Sequence, residues 1–431
     1  MNRRRFLQSA FATGIAPVFS RLLGAAEVPR ENDKIKSDRQ AALDILRPSN
    51  KDLEHGLDLH RSSLVIDSYA FSPRAAIDNA ILAKLMNSGA NEQEIVDASE
   101  DMSMTRYVTD EAERDEYLNA WSASGVTCIV QNSGEEGNDP LRLLKRLSRF
   151  TYVTDHLREQ VSKAATAEQI LATKQSNKHC LCMTTNGVPL VQQWVSAVDE
   201  MRYMRPFYEL GVRMMHLTYN RRNPIGDGCG EANDAGLSDF GRQVVAHLNR
   251  TGIIADCAHS GLKTSLDAAK TSSKPMVASH SCVAALNQHI RAKTDEVIKA
   301  IADTGGVIGI CCIGHFLGGS QDIAVFLNHV DYVVKRFGVD HVAIGTDIAY
   351  ASRLKPNDAK LPARGPQRDR WEQLWPAGSR SAPLNPRAFA SMAWTNWPLF
   401  TVGLVQKGYS DVDIQKIIGG NMLRVIRANE P

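Results

Sequence analysis

The stretch GIIADCAHS (residues 252–260), followed by PMVASHS (residues 275–281), decides how this chain folds. Each run is short and continuously apolar, and each delivers a histidine near its end, His259 and His280. Continuous rather than alternating apolar residues mark strands covered on both faces, as in parallel sheets. The two histidines are 21 positions apart, the length of one strand–helix unit, which places them at the same end of neighbouring parallel strands. A third run, HVAIGTD (341–347), ends at Asp347 in the same manner.

Working outward, five more runs have this character: 64–67, 125–130, 180–183, 212–219 and 306–311. Helical patterns separate most of them, over about 109–124, 139–174, 191–210, 238–250 and 323–337. Ser238 and Gly252 are a normal helix start and stop around the fourth of these. Eight apolar strands alternating with helices predict an α/β fold, a closed parallel (β/α)8 TIM barrel. Chemistry in such barrels sits at the C-terminal ends of the strands, where His259, His280 and Asp347 fall.

The remainder of the chain organises around that barrel. Of 431 residues, 43% are hydrophobic and 23% charged, an ordinary globular balance, and the net charge of +2 gives no reason to expect nucleic acid. Residues 1–26 begin Met1-Asn2-Arg3-Arg4-Arg5-Phe6-Leu7 and continue into a weakly apolar stretch too short to span a membrane. Paired arginines before Phe-Leu resemble a bacterial twin-arginine signal, which predicts use of that export machinery and a periplasmic or otherwise exported location. Residues 27–60 read as a helical leader, 61–430 as the barrel domain, and 351–386, rich in Pro, Arg and Asp, as a lid-like insertion. Most of the eight cysteines fall within or at the ends of strands, as small core residues do.

Two imidazoles converging with a carboxylate are raw material for a hydrolytic metal site. Asp256 stands close enough to His259 to orient an imidazole. Arg291, 11 residues past His280, is placed to grip a carboxylate bidentately.

The ordered runs GVRMMHLTYNRRNPIGDG, GLSDFGRQVVAHLNRTGIIADCAHS, PMVASHS, IRAKTD, GGVIGI and VAIGTD resemble the membrane (renal) dipeptidases, peptidase family M19, over most of residues 60–430. The resemblance implies an amidohydrolase-like barrel with two bridged zinc ions that cleaves dipeptides. It implies that His259 and His280 hold the second zinc, that Arg291 holds the substrate carboxylate, and that Asp347 is a first-zinc ligand near the attacking water. It also exposes departures. The first-strand His-x-Asp pair is replaced by Tyr69 and Phe71, the bridging glutamate by Asn186, and the strand-four histidine that polarises the scissile carbonyl by Tyr219.

Two dications facing the one remaining mapped carboxylate would be strongly unfavourable in a low-dielectric pocket. The expectation is therefore at most one Zn2+, on His259, His280 and Asp347, with Asp347 and Tyr219 catalytic and Arg291, Asn186 and Tyr69 lining the substrate. The expected activity is hydrolysis of dipeptides or related small amides, in a homodimer as in the family. The competing expectation is a catalytically silent barrel that binds a small peptide or metabolite.

Overall fold

The computed structural model describes residues 32–134, 136–362, 374–379 and 385–431. Eight parallel strands form the barrel: β1 (Ile66–Ala70), β2 (Cys128–Asn132), β4 (His179–Thr185), β5 (Val212–His216), β6 (Ile254–Asp256), β7 (Val277–Val283), β9 (Val307–Ile310) and β10 (Val342–Ile344). Two short strands lie off this path: β3 (Val161–Lys163) pairs with β4, and β8 (Ala292–Lys293) with β7.

The seam between β10 and β1 is closed just beyond the strand end. Asp347 N donates to Tyr69 O at 2.9 Å, Phe71 N to Ile348 O at 3.3 Å, and Arg74 N to Tyr350 O at 2.8 Å. The backbones crowd near this seam. A Cβ on Gly345 would lie 2.0 Å from Ser279 O, so only glycine fits there.

Two apolar layers follow from the strand pleat. Inward-facing Ile66, Cys128, Val130, Met214, Ile254 and Val307 pack inside the barrel, and Met422, Val425 and Ile426 of the terminal helix Asn421–Asn429 join that cluster. Outward-facing residues pack against the surrounding helices. The leader contributes two helices, Asp33–Leu46 and Asn50–Ser62, which pack on the helices Pro386–Ser391 and Trp397–Gln406 respectively.

One predicted helix is absent. Residues 191–196 form a loop, followed by short helices Ala197–Glu200 and Met204–Glu209. The Glu200 carboxylate accounts for this: it accepts the backbone N–H groups of Gln192 (2.6 Å), Gln193 (2.8 Å) and Trp194, curling the loop onto itself. Gln192 and Trp194 consequently adopt left-handed φ values of 63° and 57°. The twin-arginine stretch and parts of the 351–386 insertion lie outside the described residues. Among the described residues no helix is long and apolar enough to cross a membrane.

All eight cysteines are free thiols, and only Cys229 is less than fully buried. Their place among core side chains agrees with their position in strands.

Candidate active site

The barrel mouth brings together residues from most of its strands. His259 follows β6, and His280 sits within β7. Their Nε2 atoms face one another at 2.9 Å, with both rings buried. The far side of each ring is tethered. His259 Nδ1 lies 2.7 Å from Asn220 Oδ1, and His280 Nδ1 lies 2.8 Å from Ser279 Oγ. Ser279 Oγ in turn donates to Asp256 Oδ2.

Two tyrosines lie flat against these rings. Tyr69 stacks on His280 at 3.7 Å between centroids, and Tyr219 stacks on His259 at 3.9 Å. The Tyr69 hydroxyl donates to Asn186 Oδ1 at 2.6 Å, and Asn186 Nδ2 reaches Glu136 Oε1 at 3.3 Å. Phe71 meets the edge of Tyr69 with centroids 5.9 Å apart.

Burial sets the charge of this region. It pushes both phenols well above their usual range, with the nearby carboxyl groups reinforcing the shift. It drives His259 and His280 well below the usual imidazole value, and the Arg291 charge adds to that. At neutral pH the four rings are therefore uncharged. Burial also lifts the Asp347 carboxyl to about 7, against the pull of Arg291. Asp347 has a left-handed φ of 58°, uncommon for a non-glycine residue and fixed here by its bond to Tyr69 O.

Arg291 is fully buried. Its Nε donates to Ala258 O at 3.2 Å and its Nη2 to His280 O at 2.9 Å, and its guanidinium lies 5.3 Å from the Phe316 ring centroid. These bonds knit the two histidine segments together, and Nη1 carries no bond to a described residue. Lys293, also fully buried, ties the turn below through Cys257 O (2.8 Å) and Ser260 O (2.7 Å).

The donor set can be tested against the metals that the sequence resemblance implies. A first metal does not fit: its ligand positions hold Phe71 and Tyr69, and Tyr69 is bonded to the asparagine at the bridging position. The two facing Nε2 atoms offer a single cation two nitrogen ligands. Asp347, expected as their third partner, is not in the cluster that gathers: the three donors whose ligand atoms lie within 4.8 Å of one another are His216, Asp256 and His280. There the His216 Nε2 lies 2.7 Å from Asp256 Oδ2, and Asp256 also accepts Ala258 N (2.8 Å) and Ser279 N (3.1 Å). Burial alone would raise the Asp256 carboxyl, but His216 and these donors outweigh it and hold it below the usual carboxylate value.

Sequence reasoning passed over His216, Asn220, Ser279, Glu136 and Lys293. One signal for His216 was available: it stands in the apolar run 212–219, the strand before the one that carries Asp256, and the sheet then sets it opposite Asp256.

A parallel eight-stranded barrel with histidines at its strand ends defines the amidohydrolase-like class of barrel. The sequence profile of the membrane dipeptidases (peptidase family M19) matches residues 58–357, and the chain belongs to that family. The dipeptidase verJ of Clonostachys rogersoniana is 29% identical over 230 residues, 53% of this chain and 51% of that protein. The dipeptidase tcpJ of Claviceps purpurea is 25% identical over 277 residues, 63% of this chain and 56% of that protein. The chain thus spans about half the length of these curated relatives.

Solved structures share the fold along nearly their whole length. An amidohydrolase from Pseudomonas aeruginosa superposes with a TM-score of 0.62 at 25% identity, covering 87% of this chain and 98% of that one. A metallopeptidase from Rhodobacter sphaeroides, crystallised with a phosphinate mimic of L-Ala-D-Ala, gives 0.59 at 17% identity over 85% of this chain and 100% of that one. At that identity the second likeness speaks to the fold alone.

Proposed function

We propose that this chain hydrolyses dipeptides or related small amides at the barrel mouth, using one divalent cation, zinc, where the family uses two. The observation that carries the reading is the pair of buried, neutral imidazoles whose Nε2 atoms face each other at 2.9 Å, each tethered at its other nitrogen. Metal-ligating histidines are oriented in this way. A zinc ion bound there would supply a water of pKa near ~7 and a Lewis acid for the amide carbonyl.

The protein's own groups have separable roles. His259 and His280 would hold the cation. Asp347, with its carboxyl lifted to about 7, takes up a proton near neutral pH. Tyr219, kept protonated by burial, donates its hydroxyl hydrogen to the oxygen that gains charge. Arg291 offers Nη1 to a substrate carboxylate, with its other nitrogens fixed to Ala258 O and His280 O. Tyr69 and Asn186, bonded together, form the wall opposite.

The test is zinc content and turnover measured together on purified protein. About one equivalent of zinc, with cleavage of a dipeptide panel abolished by His280→Ala, is the expected result. Zinc below about a tenth of an equivalent after loading, with no cleavage, removes the reading.

A second reading is favoured by one specific observation. Tyr69 occupies a first-metal position, bonds Asn186 and lies flat on His280. That arrangement makes a closed aromatic wall suited to holding a small peptide or metabolite without turning it over. A ligand-induced rise in melting temperature without turnover selects this reading.

Export through a twin-arginine signal in residues 1–26, a periplasmic location and a homodimer complete the proposal. Signal-dependent transport of a reporter fusion and sedimentation of the purified chain test these parts.

A further inference from the structure

The hydrogen-bond donors around the two imidazoles can be counted. Ser279 Oγ has one hydrogen, and the Asp256 carboxylate beside it can only accept, so that hydrogen goes to Asp256 Oδ2. The 2.8 Å contact between Ser279 Oγ and His280 Nδ1 then requires the hydrogen to be on the ring nitrogen. On the other side, His259 Nδ1 lies 2.7 Å from the amide oxygen of Asn220, again an acceptor. The Cys229 thiol donates to that same oxygen at 3.1 Å, which supports oxygen rather than nitrogen at this position.

Each ring therefore carries a hydrogen on Nδ1, which leaves Nε2 as its free nitrogen. Two bare Nε2 lone pairs are left facing each other at 2.9 Å, a contact that repels unless a cation is shared between them. His216 completes the device, with Nε2 2.7 Å from Asp256 Oδ2, whose oxygens also accept Ala258 N and Ser279 N.

We infer that Asn220, on one side, and Asp256 acting through Ser279, on the other, are positioning residues that fix His259 and His280 in the Nδ1–H tautomer and so create the two-nitrogen cation site. The inference rests on the single-cation reading above and adds to it the residues that decide whether the site exists. Groups in such supporting positions typically change metal affinity by roughly 10- to 100-fold when removed.

The experiment uses the full chain and Co2+ as the probe, with affinity read from chelator competition and from the cobalt absorption band. In parallel, nitrogen-15 NMR of the imidazoles of the metal-free protein reports the tautomers directly. Wild-type protein should show Nδ1–H and bare Nε2 in both rings. Asn220→Asp keeps an acceptor at the same place and should bind Co2+ at least as tightly as wild type. Asn220→Leu, similar in size but unable to accept, should bind about 10-fold more weakly or worse. A merely structural role for Asn220 would move both variants alike.

The NMR measurement needs no variant, so the Asp256 side is tested without a substitution that could misfold. An Nε2–H tautomer in either ring overturns the inference. So does equal Co2+ affinity in Asn220→Leu and wild type, or no Co2+ binding by wild type. A protein that passes these tests yet cleaves no peptide keeps the inference and removes the hydrolase reading.

Discussion

Asp67 should make the protein less stable as pH rises through neutrality. The carboxyl is fully buried behind β1, on the helix side rather than inside the barrel. It accepts Thr346 N at 2.9 Å, Thr346 Oγ1 at 2.7 Å, Trp397 Nε1 at 3.1 Å and Trp394 Nε1 at 3.3 Å. Burial lifts it from 3.8 to about 7, and these donors offset only part of that. The folded chain therefore binds more protons than the unfolded chain between these two values. The stabilisation is complete below the unfolded value and is lost as pH climbs through about 7. At about 1.4 kcal/mol per pH unit, rounding off near the upper value, raising the pH from 5 to 8 removes about 2.5 kcal/mol. The assay is urea unfolding of wild type and Asp67→Asn at both values. Asparagine does not titrate and puts an amide hydrogen against one donor, a roughly pH-independent cost of about 1–3 kcal/mol. Wild type's advantage over the variant should then shrink by about 2.5 kcal/mol from pH 5 to pH 8. An advantage that stays constant or grows would show that these donors, with Tyr69 N at 3.4 Å as a fifth, keep the carboxylate ionised, and the burial argument would be wrong.

Other outcomes follow from the same geometry. His60 is buried between Thr401 Oγ1 (2.8 Å) and Ser124 O (2.9 Å), with burial lowering it to about 4, so its contribution is full above the unfolded value of 6.5 and is lost as pH falls toward 4. In His60→Gln the acid limb of the stability curve should flatten, by about 2–3 kcal/mol between pH 7 and pH 4. Tyr69→Phe removes the 2.6 Å bond to Asn186 and should cost about 1–2 kcal/mol in urea unfolding, while the stack on His280 persists. The combined Tyr69→His, Phe71→Asp and Asn186→Glu variant restores the lost ligand types, and bound zinc measured by mass spectrometry should rise from about one to about two equivalents. Unchanged stoichiometry in a folded triple variant would mean those positions do not face the cation pair.

The barrel was legible because its strands are buried on both faces and so read as continuous apolar runs whose spacing a helix fills. The failed helix at 191–210 shows the limit of that reading. Its composition suits a helix, but one carboxylate at Glu200 collects three backbone donors, and that gain is invisible without knowing which way the chain turns. The histidine pair was legible as a pair, since equal phase at neighbouring strand ends brings their side chains to one place. Its supports were not. Asn220 reaches His259 from a loop residue with a left-handed φ of 56°, and a spacing of 39 residues carries no periodic signal. Ser279 is adjacent to His280, and its role depends on Asp256 lying across the strand pair, a register that only the sheet supplies.

The substitutions at the mouth make sense as one change of charge rather than as scattered losses. Against the family pattern that the sequence resembles, Phe71 stands for an aspartate, Asn186 for a glutamate, and Tyr69 and Tyr219 for histidines, a set with fewer acidic groups. What remains is the fixed positive charge of Arg291 and, of the carboxyls at the family's ligand positions, Asp347 alone, lifted to about 7, with Glu136 beside Asn186 and Asp256 beside His216. Such a mouth no longer balances two dications, but it is well matched to a ligand bearing a carboxylate. The aromatic replacements also take over a mechanical task. A histidine without metal can rotate, whereas Tyr69 and Tyr219, each stacked on one imidazole at under 4 Å, hold the rings where a cation needs them. A site that had merely decayed would have no need to keep both rings clamped by stacking on one face and by hydrogen bonds at Nδ1. That retention is the physical argument for a cation between them, and it puts the balance between enzyme and binder on what His259 and His280 hold.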